Sequence, residues 1–87
     1  MAYEVRFKPR AANAVRKLPR EIQRRILARA TELELDPRPP GAEKLKGVKD
    51  LYRVRIGDYR IVYEVRERIL LVLVVRVGHR REVYRGL

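Results

Sequence analysis

The residues with the clearest chemical potential lie in the second half of the chain. Residues 51–87 hold nine basic side chains, and all nine are Arg, whose planar guanidinium binds phosphate through two parallel hydrogen bonds. His79, the only His of the chain, and Tyr84 lie in the same segment. Cleavage of RNA by its own 2′-hydroxyl needs a base, cations that stabilise the phosphorane, and an acid for the leaving 5′-oxygen. The segment contains candidates for all three, so it indicates a protein that binds phosphates and cuts between them.

A predicted hairpin collects three of these arginines on one face. If Gly57-Asp58 is a two-residue turn, Arg55 pairs with Arg60. Side chains alternate along a strand, so Arg53, Arg55 and Arg60 share one face. Like charges directly opposite one another are unfavourable by roughly 0.2–1 kcal/mol, which favours an anion bound between Arg55 and Arg60. The alternative is a solvated face with Glu64 as its counter-charge. The opposite face is apolar and comprises Tyr52, Val54, Ile56, Tyr59, Ile61 and Tyr63.

His79 and Tyr84 are the two candidates for proton transfer. The neighbouring Arg80 and Arg81 favour the neutral imidazole of His79, which accepts a proton near neutral pH. The alternative for His79 is an ordinary surface residue. Tyr84 could stack on a base, act as a base itself, or cap the edge of the core. These alternatives stay open on the residues alone.

The charge of the chain favours a polyanionic partner. Twenty-two Lys and Arg against eleven Asp and Glu give a net charge of +11 and a pI near 10.9. Nucleic acid, an acidic protein segment and an anionic membrane surface all fit such a balance. Thermophilic adaptation would explain the high content of Arg and Glu. It would not explain the excess of positive charge.

The composition also excludes several classes of site. The chain has no Cys, which excludes a disulfide framework, a thiolate zinc site and a Cys nucleophile. A single His leaves no plausible metal constellation, so we predict chemistry without a metal or cofactor. The first residues are charged and lack the apolar core of a signal peptide. The apolar run 69–75 is too short to span a bilayer. We therefore predict a soluble, cytoplasmic protein that does not enter a membrane.

The elements that position these residues follow from periodicity, and they predict a single α+β domain over residues 1–87. Residues 3–7 alternate and predict a strand. Two amphipathic helices follow, separated at Pro19 and ended by the Pro-rich loop 36–41, and they should form an antiparallel hairpin on one face of a sheet. Their apolar stripes comprise Ala11, Val15 and Leu18, then Ile22, Ile26, Ala30 and Leu33, widened by Leu27. Strands at 51–56, 59–66 and 69–77 then predict a three-stranded antiparallel meander.

The order of these segments resembles the RelE toxins of the RelE/ParE toxin–antitoxin superfamily over nearly the whole chain. The segments that carry the resemblance are Lys44-Leu45-Lys46-Gly47, Leu51-Tyr52-Arg53-Val54-Arg55-Ile56, Tyr59-Arg60-Ile61-Val62-Tyr63 and Gly78-His79-Arg80-Arg81-Glu82-Val83-Tyr84. The last two are specific as a pair. The resemblance implies a ribosome-dependent endoribonuclease that cuts the mRNA codon in the A site and leaves a 2′,3′-cyclic phosphate. It also implies a RelB-type antitoxin that wraps the toxin in a heterodimer or heterotetramer.

Carried over position by position, the resemblance assigns a role to each site residue. The basic pair of the first hairpin strand falls on Arg53 and Arg55. Arg60 would hold the scissile phosphate, and Arg80 would stabilise the phosphorane and assist the leaving oxygen. Tyr84 would stack on the substrate base and help to activate the 2′-hydroxyl. We further assign Lys44, Lys46 and Arg81 to contacts with RNA or the ribosome.

The hairpin pair departs from the best-known members of the family, which carry Lys there. Arg stays protonated in proteins and cannot act as the base. Either Tyr84 or His79 is then the base, or the cation pair only lowers the barrier to ionisation of the 2′-hydroxyl. Two other functions remain alternatives: a ParE-like gyrase poison with the same fold, and a non-catalytic module that binds RNA through its Arg face.

Overall fold

The computed structural model describes residues 2–47 and 50–87. In chain order the elements are β1 (Glu4–Phe7), α1 (Pro9–Arg16), α2 (Arg20–Leu35), β2 (Glu43–Lys44), β3 (Leu51–Ile56), β4 (Tyr59–Arg66), a 3-10 turn (Glu67–Ile69) and β5 (Leu71–His79). The strands form one sheet in the order β1-β5-β4-β3-β2. β1 and β5 are parallel, and all other neighbours are antiparallel. The predicted α+β fold is confirmed.

The hairpin of β3 and β4 has the register that the sequence predicts. Arg55 lies opposite Arg60, and Ile56 lies opposite Tyr59. Gly57 has a φ of +58°, the left-handed value that the first central residue of a type II′ turn requires and that Gly adopts without strain. The two-residue turn therefore fixes which side chains of β3 and β4 share a face.

The main core lies between the helices and one face of the sheet, which we call the helix face. Its fully buried side chains include Ile26 and Leu33 of α2 and Tyr63 of β4. The Tyr63 hydroxyl donates a hydrogen bond of 2.7 Å to the carbonyl oxygen of Pro37. This bond fastens the loop after α2 to the sheet, and that loop leads directly into β2.

A β-bulge in β5 decides which residues of that strand reach the core. Val62 pairs with Arg76 whereas Tyr63 pairs with Val74, so β5 has one extra residue at this point. Side chains alternate along a strand, and without the extra residue Arg76 would fall on the helix face. The bulge instead places Val77 in the main core and Arg76 on the opposite face.

The face of the sheet opposite the helices, which we call the open face, carries a second and smaller core. Leu51, Val62 and Val83 are buried there, with Leu45, Val75 and Tyr84 packed around them. Residues 80–86 form a series of turns across this face. Val83 packs over Gly78, since a Cβ built at Gly78 would lie in ordinary van der Waals contact, 3.8 Å, with Cβ of Val83. Tyr84 is thereby brought to the same face as the strand arginines.

Three sequence predictions are corrected by the structure. The sheet has five strands, because β2 forms a two-residue edge strand where the sequence predicted only a lead into the meander. The last strand begins at Leu71, since Glu67–Ile69 form a 3-10 turn. Leu27 does not widen the buried stripe of α2, because it is 51% exposed. Within residues 2–47 and 50–87, neither helix is long and apolar enough to cross a membrane.

Candidate nucleic-acid interface

The open face contains a cleft of about 480 Å³ between the hairpin, the segment before β3 and the end of the chain. The cleft has cationic walls and an aromatic side chain at its edge. It is lined by Leu45, Lys46, Arg53, Arg55, Arg60, Tyr84 and Leu87. Four positively charged side chains and no side-chain carboxylate line this cleft among the described residues. We call it the arginine cleft.

Arg60 is the most buried cation of the arginine cleft, with only 8% of its surface exposed. Its Nη1 donates hydrogen bonds of 2.9 Å to the carbonyl oxygens of both Gly57 and Tyr59. Its Nε and Nη2 donate no hydrogen bond to any described residue. No fully buried side-chain donor lacks a partner within residues 2–47 and 50–87, so Nε and Nη2 each keep some contact with solvent. The guanidinium is thus held in place while most of its donors stay available to an anion.

Arg53 and Arg55 differ in how they are held. Nη2 of Arg53 donates a hydrogen bond of 2.7 Å to the carboxylate of Glu43, which lies opposite it on β2. Arg55 is exposed and makes no ion pair with a described carboxylate. Glu43 therefore offsets part of the charge of Arg53, whereas the charge of Arg55 stays uncompensated next to that of Arg60.

Tyr84 is half-buried at the edge of the arginine cleft. One side of its ring packs on the small core of Leu51, Val62 and Val83. Its hydroxyl makes no hydrogen bond to a described residue, and the cleft lies beside it. An aromatic ring with one packed side and one open side beside several cations is suited to stacking on a nucleobase.

The structure separates His79 from the arginine cleft. His79 pairs with Tyr59 in the β4–β5 register and contacts its ring edge-on, with centroids 5.9 Å apart. Tyr59 belongs to the helix-face side of the hairpin, so the sheet lies between the His79 ring and Arg60. The backbone N–H of Arg81 donates to Nδ1 of His79 over 3.2 Å. His79 and Tyr84, the two candidate bases, therefore lie on opposite sides of the sheet.

Three further predicted residues do not line the arginine cleft. The backbone N–H of Arg80 donates to the carbonyl oxygen of Asp58 over 2.7 Å, and its Nε lies 3.9 Å from the Asp58 carboxylate. Arg80 thus borders the same turn that holds Arg60. Arg81 is exposed beyond it. Lys44 pairs with Tyr52 and so belongs to the helix-face side of β2, whereas Lys46 lines the cleft.

Two features of the site were not predicted from the sequence. Glu43 is the ion partner of Arg53, and its role depends on β2, a strand too short to show any periodicity. Leu45 and Leu87 supply apolar lining to the cleft. The only signal for Leu45 was its place in the segment Lys44-Leu45-Lys46-Gly47, between two lysines.

Taken together, this geometry suits stabilisation of a multiply charged anion. Arg60 presents fixed donors, Arg55 and Lys46 add exposed charge, and Tyr84 offers a ring. Donors that are already in place stabilise charge that develops during a reaction without reorganising. Guanidinium and ammonium groups also bind the ground-state phosphate backbone of RNA. The arginine cleft can therefore bind phosphate and stabilise a phosphorane.

The chain is similar in sequence and in fold to toxins of toxin–antitoxin systems. The chain matches the family described as "ParE toxin of type II toxin-antitoxin system, parDE" over residues 5–84. It is 35% identical to the mRNA interferase toxin RelE of Escherichia coli (strain K12), over 97% of this chain and 92% of the relative. The archaeal RelE–RelB complex from Pyrococcus horikoshii OT3 matches with a TM-score of 0.82 at 32% identity, over 95% of this chain and 100% of that chain. The intact E. coli RelBE toxin–antitoxin complex matches with a TM-score of 0.80 at 31% identity, over 90% and 96% of the two chains.

Proposed function

The chain belongs to the RelE/ParE family of toxins from type II toxin–antitoxin systems, and from this premise we propose that it is a ribosome-dependent mRNA endoribonuclease. It cuts the codon in the A site of the ribosome. The 2′-hydroxyl attacks the adjacent phosphorus, the bond to the 5′-oxygen breaks, and a 2′,3′-cyclic phosphate remains. Translation stops as a result, and the protein acts in the cytoplasm.

The observation that carries this proposal is the convergence of Lys46, Arg53, Arg55, Arg60 and Tyr84 on one cleft. Attack by the 2′-hydroxyl places extra negative charge on the phosphorane oxygens. Cations that are already positioned stabilise that charge more strongly in the transition state than in the ground state. Bringing four cations together is costly for folding and is useful once an anion binds among them.

Within this proposal the roles are divided by geometry. Arg60 holds the scissile phosphate, since its guanidinium is fixed by two carbonyl groups and keeps open donors. Arg53 and Arg55 stabilise the phosphorane, and Arg80, at the edge of the Gly57-Asp58 turn, stabilises the negative charge on the leaving 5′-oxygen, which takes its proton from water. Tyr84 stacks on the base and takes the proton of the 2′-hydroxyl. We assign this role to Tyr84 and not to His79, because the His79 ring contacts Tyr59 on the other side of the sheet.

The proposed partner is a RelB-like antitoxin. The solved relatives from Pyrococcus horikoshii and Escherichia coli are toxin–antitoxin complexes. The net charge of +11 repels itself, and an acidic segment wrapped over the toxin would relieve that repulsion. We propose a heterodimer or a heterotetramer in which the antitoxin neutralises the basic surface.

The experiment that tests the proposal uses ribosomes programmed with mRNA and carrying an empty A site. The expected result is a cut within the A-site codon with a cyclic phosphate end, which appears only when ribosomes are present. Arg60→Ala should slow cleavage by about 10²–10³-fold, the usual effect of removing one preorganised donor. Arg24→Ala is the matched control, because it removes one positive charge from the exposed outer side of α2. Cleavage by Arg60→Ala at the wild-type rate would refute the assignment.

Gyrase inhibition is the second candidate, and the family description that names ParE favours it. Its test is DNA supercoiling by purified gyrase with the protein added. Inhibition of supercoiling together with intact mRNA on programmed ribosomes would replace the nuclease proposal. Intact supercoiling together with a cut A-site codon would exclude gyrase as the target.

A further inference from the structure

A second basic groove lies beside the arginine cleft on the open face. It has a volume of about 420 Å³ and runs from the middle of the sheet to the start of α1. We call it the flanking groove. It is lined by Lys8, Arg10, Leu51, Glu64, Val75, Arg76 and Leu87.

Two cations of the flanking groove, Lys8 and Arg10, are available to bind an anion. Arg76 is occupied, since its Nη1 donates to the backbone carbonyl groups of Val83 and Arg85. Glu64 is matched by Arg66, whose Nε lies 2.7 Å from its carboxylate. Lys8 and Arg10 are exposed, and neither forms an ion pair with a carboxylate among the described residues. The groove therefore presents three uncompensated positive charges over an apolar floor, and two of them, on Lys8 and Arg10, belong to side chains that no hydrogen bond to a described residue holds in place.

The flanking groove is continuous with the arginine cleft. Leu87 lines both, so the two depressions meet at this residue. Lys8 follows β1 on the open-face side, because Phe7 before it packs into the main core. A strand of RNA that leaves the arginine cleft past Leu87 would meet Lys8 and Arg10 next.

We propose that the flanking groove binds the phosphate backbone of the same RNA strand, outside the nucleotides that are cut. The inference rests on the proposed function and adds a second phosphate subsite to it. Lys8 and Arg10 contact one phosphate each, and Leu51 and Val75 contact the sugars or bases between them. A single RNA strand is favoured over an acidic peptide because the groove continues from a cleft already suited to phosphate.

The test compares two double variants that remove the same charge. Lys8→Ala/Arg10→Ala removes two cations of the flanking groove, and Arg20→Ala/Arg24→Ala removes two exposed cations of α2. The fold does not depend on the Lys8 side chain, since it is the backbone N–H of Lys8 that donates to Val74. The probes are a trinucleotide and a longer single-stranded RNA, both methylated at every 2′-hydroxyl so that they cannot be cut.

The expected result is a selective loss of binding to the longer RNA. Each lost phosphate contact lowers the slope of log affinity against log salt by about 0.7 for a single strand, so two lost contacts should lower it by about 1.4. The trinucleotide should bind the Lys8→Ala/Arg10→Ala variant as it binds the wild type. The α2 control should keep the wild-type slope with both probes.

Three outcomes would overturn the inference. An equal loss of affinity for the trinucleotide and the longer RNA would mean that Lys8 and Arg10 act only through the long-range electrostatic field of the protein. A loss of affinity in the Arg20→Ala/Arg24→Ala control equal to that of Lys8→Ala/Arg10→Ala would lead to the same conclusion. Weaker binding of the antitoxin with unchanged RNA binding would assign the flanking groove to the antitoxin. Failure of the proposed function is read separately, because it appears as intact mRNA on programmed ribosomes treated with the wild-type protein.

Discussion

Tyr63→Phe is expected to change the stability of the protein at alkaline pH and to leave its activity intact. Tyr63 is completely buried on the helix face and donates to the carbonyl oxygen of Pro37. Burial raises the pKa of Tyr63 to about 12 from its ordinary value of 10.0, because ionisation would place a charge in the core. The arginine cleft lies on the other face of the sheet and does not include this side chain.

The size of the stability change follows from the hydrogen bond of Tyr63 and from its raised pKa. Loss of the hydroxyl leaves the Pro37 carbonyl without its donor, which costs about 1–3 kcal/mol below pH 10. A folded pKa above the unfolded value means that the folded state holds the proton more tightly. This contribution is therefore fully present below the unfolded value of 10.0 and is lost as the pH rises through about 12. A shift of two units amounts to about 2.7 kcal/mol, so the stability advantage of the wild type should shrink by about that amount as the pH rises from 10 through 12.

The assay is urea unfolding followed by far-UV circular dichroism at a series of pH values between neutrality and pH 12. The quantity of interest is the difference in unfolding free energy between wild type and Tyr63→Phe. All other titrating groups are common to both proteins and cancel in that difference. Cleavage at neutral pH, normalised to folded protein, should be the same for both.

A difference in unfolding free energy between wild type and Tyr63→Phe that stays constant across the alkaline range would refute the reasoning. It would mean that Tyr63 ionises in the folded protein as it does in the unfolded chain, and that its burial has no electrostatic consequence. Tyr3→Phe is the control, because Tyr3 is a half-buried Tyr near the sheet edge. It should show no alkaline convergence of this size.

Two further predictions concern the arginine cleft. Glu43→Gln removes the carboxylate that lies 2.7 Å from Arg53. Single-stranded RNA should then bind more tightly, with a salt slope steeper by about 0.7, at a stability cost below about 1 kcal/mol. Weaker binding of RNA would mean that Glu43 positions Arg53 for the RNA. Tyr84→Phe should slow cleavage on programmed ribosomes by about 10²–10⁴-fold, the range for a lost general base. His79→Ala should cut at nearly the wild-type rate. A larger loss of rate in His79→Ala than in Tyr84→Phe would move the base to His79.

The hairpin shows why part of this fold could be predicted from the sequence. Gly57-Asp58 allows only a two-residue turn, and this turn fixes every pair along β3 and β4. Strict alternation then divides Arg53, Arg55 and Arg60 from the apolar residues. Local rules sufficed because both the register and the faces are set within sixteen consecutive residues, 51–66.

Other parts of the fold and site depend on contacts that no local pattern reports. β2 is two exposed polar residues long and shows no periodicity, so Glu43 could not be assigned to Arg53. The bulge in β5 lies within an apolar run that has no alternation, and it changes the face of each residue after Val75. That change places His79 beside Tyr59, while the turns of residues 80–86 return Tyr84 to the open face. The separation of the two candidate bases was therefore beyond sequence reasoning.

The way in which Arg60 is held explains how a like-charged pair can be part of a working site. A carboxylate beside Arg60 would fix its guanidinium and also cancel its charge, as Glu43 does in part for Arg53. Two backbone carbonyl groups fix Arg60 instead, and these dipoles orient the guanidinium without neutralising it. The repulsion between Arg60 and Arg55 then persists until an anion binds. Under the proposed function, phosphate relieves that repulsion and the phosphorane relieves it further, so the strain in the free protein is converted into preference for the transition state.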